Sequence, residues 1–175
     1  MSRRRLFALT LTTFAIAASA ALASQESRGI LFRELFPPTK GTYEAPAGQL
    51  GEKPDQPWST TTVAAGVDSK PLQGKVVTIP GEIIDYSCYL QVGKHGDKHR
   101  DCGQKCLRNG QPIGLLAEDG SIYLLMEEEH NPRRDGLTDL RSAAIEHMAH
   151  IMQVSGTMTT LHGQRAIFVT GFVKK

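Results

Sequence analysis

One stretch of this chain, residues 85–106, holds all three cysteines, two of the six histidines and a well-placed aspartate. It opens with Asp85-Tyr86-Ser87-Cys88, passes through a Gly/Lys/His loop, and closes with His99-Arg100-Asp101-Cys102-Gly103-Gln104-Lys105-Cys106. His99, Cys102 and Cys106 stand three and four residues apart, the spacing that places side chains on one helix face. Asp97 is positioned to cap that helix and Asn109-Gly110 to stop it. Cys88 and Asp85 approach from the end of the preceding strand. Three thiolates with an imidazole form a familiar closed zinc set, and iron or copper accepts the same donors. The expected ligands are therefore Cys88, Cys102, Cys106 and His99. Asp85 supports them, or becomes the fourth donor if His99 points away.

The cysteine count leaves other chemistry open. In an oxidising compartment three cysteines cannot all pair within one chain. Cys88 could bridge to Cys102 or Cys106 and leave one thiol free, giving a disulfide-stapled binding module. A Cys102–Cys106 bridge inside a helix is awkward, because residues four apart diverge at Cβ. A thiol enzyme is a third reading, although the Cys-x-x-Cys of dithiol oxidoreductases is missing. Cys-x-x-Cys-His for haem attachment is absent, and three cysteines fall short of a four-cysteine iron–sulfur cluster. Lys94, His95, Lys98, Arg100, Lys105 and Arg108 crowd the segment, and such charge is expected to lower the thiol pKa values.

The segment resembles a group of small exported bacterial proteins. The shared pattern is Gly81-Glu82-Ile83-Ile84-Asp85-Tyr86-Ser87-Cys88, then His99-x-x-Cys102-x-x-x-Cys106, then Gly110-Gln111-Pro112. The similarity runs over roughly residues 75–173 and leaves the N-terminal part unmatched. It implies an OB-like domain with a coherent site at Asp85, Cys88, His99, Cys102 and Cys106, and implies no particular reaction.

These side chains need a scaffold, and the flanking sequence reads as a mainly β domain. Lys75-Val76-Val77-Thr78-Ile79-Pro80-Gly81-Glu82-Ile83-Ile84-Asp85 is β-branched and alternating, with a bend at Pro-Gly. Pro112 to Ala117 and Ile122 to Met126 are strand-like, and Asp119-Gly120 between them signals a hairpin. Leu140, Ala144 and Met148, with Ile145 alongside, recur at helical spacing after the capping residue Thr138. Residues 149–160 and 164–173 are again strand-like, with His162-Gly163 as the turn. A helix between strands three and four matches a five-stranded OB-like barrel, the Cys/His insertion lying between strands one and two.

The outer parts of the chain set its class. Residues 1–23 read as a signal peptide: Arg3-Arg4-Arg5, an apolar run, then Ala21-Leu22-Ala23. Ser2-Arg3-Arg4-Arg5-Leu6-Phe7 also resembles a twin-arginine signal, which implies a passenger exported folded with its cofactor aboard. Removing that leader takes three arginines and no acid, so 20 basic against 18 acidic residues becomes 17 against 18. Nothing in a near-neutral mature chain suggests a nucleic-acid partner, and no transmembrane span is expected after cleavage. Residues 24–73 have Pro/Gly-rich linker composition, with an apolar start at Gly29-Ile30-Leu31-Phe32 that could dock on the domain or on a periplasmic partner. Residues 74–175 form the domain, with its insertion at 85–110. The charge-dense loop 127–135, His147, His150 and His162 read as solvated or structural, and Met126, Met148, Met152 and Met158 as core fillers. No phosphate loop, nucleophile elbow or His-Glu-x-x-His pattern occurs. The sequence thus points to a periplasmic metal-binding module, structural or electron-transferring, with zinc or iron ahead of copper.

Overall fold

A computed structural model describes residues 36–52, 74–127 and 137–169. The first half of the fold contains β1 (Gln49–Leu50), β2 (Lys75–Asp85), α1 (Tyr86–Val92), a 3-10 turn (Asp97–His99) and α2 (Arg100–Arg108). The second half contains β3 (Ile113–Ala117), β4 (Ile122–Glu127), α3 (Asp139–Glu146), β5 (Ile151–Leu161) and β6 (Gln164–Val169). Residues 1–23, and the loop 127–135 beyond Glu127, lie outside the described residues.

Strands β2, β3, β4, β6 and β5 close into a mixed five-stranded barrel of OB-like topology, with β1 added on the outer edge of β5. Closure depends on two long strands. β2 pairs with β5 along residues 75–82 and with β3 along 81–85, so Pro80-Gly81 marks the point where a second neighbour joins. A Cβ on Gly81 would lie 2.7 Å from the Leu115 side chain, so glycine allows β2 and β3 to approach. β5 pairs on its other edge first with β1 and then, from Gly156, with β6. The β5–β6 hairpin turns through His162 (φ 48°) and Gly163 (φ 84°), two consecutive left-handed residues as a tight primed turn requires.

Ile83, Leu115, Leu125, Val154, Ile167 and Val169 belong to one buried core. The helices add Leu107 from α2 and Leu140, Ala144 and Ile145 from α3. Thr138 caps α3 by accepting the Arg141 N–H at 3.2 Å. Side chains then bolt α2 to α3. Gln104 donates to the Ile145 carbonyl at 2.8 Å, and Arg100 donates to the carbonyls of Met148 and Glu146. The helix that carries Cys102 and Cys106 is therefore fixed to α3.

Linker composition hides order in residues 36–52. This arm runs along the start of β5: Thr39 N–H donates to the Ala149 carbonyl, and Ile151 N–H donates to the Lys40 carbonyl. Ala47 N–H donates to the Ile151 carbonyl before β1 joins the sheet. Thr42 N–H donates to the Ala45 carbonyl within the arm, and most of its other backbone hydrogen bonds go to β5 and the residues just before it.

A Cβ on Gly156 would lie 2.2 Å from the Phe168 carbonyl oxygen, a backbone atom that cannot swing aside. Gly156→Ala should cost about 1–3 kcal/mol through forced separation of β5 and β6, read as a lower urea midpoint. Unchanged stability would mean that the strands do not approach this closely.

Candidate metal centre

β2 delivers Asp85 to its C-terminal end fully buried. One carboxylate oxygen, Oδ1, accepts the Cys88 N–H at 3.1 Å and caps α1. That cap matters because Tyr, Cys and Val in this seven-residue helix are indifferent helix formers. The sequence pattern places Cys88 at a strand end, whereas it lies in the first turns of α1. The signal for a helix was Asp-x-x-Cys, an N-cap whose side chain reaches the third residue beyond it. Gly93, left-handed at φ 66°, ends α1. The chain then returns through Gly96 to the 3-10 turn, whose last residue, His99, opens α2. Asp97 does not cap α2, because its carboxylate accepts the Thr39 hydroxyl at 3.2 Å.

Asp85, Cys88 and His99 each bring a ligating atom within 4.8 Å of the others, a group that could hold a metal ion. A tetrahedral ion with bonds of about 2.0–2.3 Å keeps its donors about 3.3–3.8 Å apart. Closing on an ion therefore draws these donors inward by no more than about 1.5 Å. Among the described residues, three buried side-chain polar atoms lack a hydrogen-bond partner, and two of them are Asp85 Oδ2 and His99 Nε2. Burial lowers the His99 pKa, the Asp85 carboxylate opposes this, and Lys94 adds to the lowering. The imidazole is held in its neutral, ligating form.

Cys106 and Cys102, on α2, lie outside this three-residue group, and of the two Cys106 approaches Asp85 and Cys88. Burial, then the adjacent Asp85 carboxylate, pushes the Cys106 thiol up to about 12. Cys88 is raised by the same two causes in the same order, and Cys106 beside it pulls the other way. Here the expectation from the basic surroundings fails. Lys94, Lys98, Lys105 and Arg108 are exposed and act through water, whereas the Asp85 charge is buried and close. Cys102 is exposed, near enough to the inner pair for its charge to raise both. All three cysteines are free thiols.

Two supports were not visible in the sequence. Glu82, 2 % exposed, accepts the Gly96 N–H at 2.6 Å and faces His95 Nδ1 at 2.9 Å. It thereby ties the loop before His99 to β2. The arm holds the same loop from the other side: Asp97 N–H donates to the Pro37 carbonyl at 2.8 Å, and the Phe36 ring lies 5.3 Å from His95. A Cβ on Gly96 would stand 2.5 Å from the Phe36 carbonyl oxygen, so only glycine fits, and its φ of 72° agrees. A glutamate in an alternating strand and a phenylalanine in a linker carried no signal of this.

No family model, curated protein or solved structure matches the chain. Among the described residues no helix is long and apolar enough to cross a membrane. Met148 and Met152 are buried in the core and Met158 packs against it.

A second histidine pair sits at the α3–β5 junction, where His147 Nδ1 and His150 Nδ1 are 3.3 Å apart. Burial, then Arg100, His147 and Lys40, lowers the His150 pKa to about 4, with Glu146 opposing. The unfolded chain takes this proton at about 6.5. The contribution of neutral His150 to stability is therefore complete above that pH and is lost as pH falls toward 4. Urea midpoints compared at about pH 7.5 and about pH 4.5 should show His150→Gln losing less stability than the parent, by roughly 1–2 kcal/mol after solvent screening. Parallel curves would reject this account of His150.

Proposed function

We propose that this protein is a periplasmic metal-binding module whose ion is held by Cys88, Cys106, His99 and Asp85. One observation carries the reading. A buried carboxylate oxygen and a buried imidazole nitrogen, both without hydrogen-bond partners, belong to a donor group that includes a thiol. Uncompensated buried polar atoms cost stability, and a cation satisfies both at once. Two sulfurs with one nitrogen and one oxygen suit zinc or ferrous iron best, and copper next. Four protein donors leave no open position for substrate, which favours a structural or electron-transfer role over catalysis. The twin-arginine-like leader fits an ion inserted before export.

The closeness of Cys88 and Cys106 also favours a second reading, in which these two thiols oxidise to a disulfide and Cys102 remains free. One experiment separates the two. Elemental analysis of protein recovered from the periplasm should find about one transition-metal ion per chain with three titratable thiols after metal removal. His99→Ala and Asp85→Asn should each weaken binding by at least about 100-fold. Asparagine still caps α1, so the second variant tests the charge without unfolding the helix. A metal-free protein with one titratable thiol would sink the metal centre and leave the stapled module.

A further inference from the structure

We propose, resting on the metal reading above, that Cys102 is the exchange ligand through which the ion enters and leaves the enclosed site. Exchange at thiolate-bound d10 ions is associative: the incoming donor bonds before the outgoing one departs. The inner donors are poorly placed to receive an ion from solution. Asp85 and His99 are 0 % and 5 % exposed, and Cys88 and Cys106 are half-buried. Cys102 alone of the five is exposed, and it lies one helical turn before Cys106. The two side chains stand four residues apart on one helix face and are near neighbours, so an ion caught on Cys102 is beside Cys106.

The position of Cys102 is also fixed. Arg100 and Gln104, on either side of it in α2, are bonded to carbonyls at the end of α3. An ion can thus pass between a stationary outer sulfur and the inner donors without α2 leaving the barrel. Exposed Lys98 and Lys105 flank the thiol and complement an anionic metal carrier.

The step balances without redox change. A hydrated zinc ion gains a bond to the Cys102 sulfur, loses a water, and the thiol proton goes to buffer. Bonds to Asp85, His99, Cys88 and Cys106 then form as the remaining waters leave and the two inner thiol protons go to buffer, and the Cys102–zinc bond breaks as that sulfur regains a proton. Release runs the same steps backwards, with the acceptor's donor atom attaching while the ion is on Cys102.

The test uses the full mature chain loaded with zinc and an anionic chromophoric chelator as acceptor. Cys102→Ser should keep one zinc per chain, with affinity within about threefold of the parent, yet transfer zinc at least about tenfold more slowly. Alkylating Cys102 in the loaded parent should slow transfer equally. Equal transfer rates in the parent and both modified forms would overturn the exchange role while leaving the site intact. Loss of zinc in Cys102→Ser would overturn it too, by making Cys102 an inner ligand. A parent chain that takes up no zinc would overturn the metal centre itself, and the exchange role with it.

Discussion

The structure turns on the two oxygens of one buried carboxylate. Asp85 Oδ1 caps α1, and this cap is what turns the chain off β2 and lifts Cys88 over the barrel end. Asp85 Oδ2 has no hydrogen-bond partner. A carboxylate taken out of water costs several kcal/mol unless something answers its charge. Thiol S–H groups are weak donors, and the nearest imidazole is held neutral by burial. On the proposed reading a cation would answer this charge better than the neighbouring thiols, and the same cation would satisfy His99 Nε2. Asp85 would then serve both the local fold and the binding of an ion.

The other parts of the fold divide into a stiff floor and a restrained roof. Asp85 and Glu82 come from the end of β2 that is paired with β3, and at Glu82 with β5 as well. Their backbone is held by the barrel before any ligand arrives. His99 comes from a loop, which on its own would position an imidazole loosely. Glu82 removes that freedom from below through Gly96 and His95, and Phe36 and Pro37 remove it from above. The arm is consequently part of the site's support, even though it contributes no ligand. Ligand groups held by independent elements are a recognised way of fixing a metal geometry in advance.

The barrel was legible because its strands are apolar, largely β-branched runs bounded by turns, and because α3, between β4 and β5, carries an apolar stripe through Leu140 and Ala144 that continues to Met148 just beyond it. The hairpin turns were legible for the same local reason, since Asp119-Gly120 and His162-Gly163 favour left-handed backbone. What escaped depended on contacts distant in sequence. Residues 36–52 gain their order from β5, more than a hundred positions later, so composition alone reads them as linker. Helix α1 is built from residues with strand-like preferences and exists through its cap and its packing. The rank of the cysteines was half visible. Leu107 is the only large apolar residue of α2 and sets its buried side. At about 100° per residue Cys106 lies about 100° from it and Cys102 about 140°. That difference separates a half-buried sulfur from an exposed one, although their four-residue spacing had suggested equal partners.

Enclosure and exchange pull such a site in opposite directions. Donors shielded from water bind more strongly because the local dielectric is low, but the shielding also blocks an incoming ligand. A protein can resolve this by opening, which here would mean breaking the Arg100 and Gln104 bonds to α3 and lifting α2 off Leu140 and Ala144. That would disturb the core to serve one ion. On the proposed reading, grading exposure along a single fixed helix, from exposed Cys102 to half-buried Cys106, would give an ion a route without moving the barrel. The four-residue spacing that brings the two sulfurs near each other and the sideways offset set by Leu107 would both be needed for this. One supplies nearness, and the other supplies the difference in solvent access.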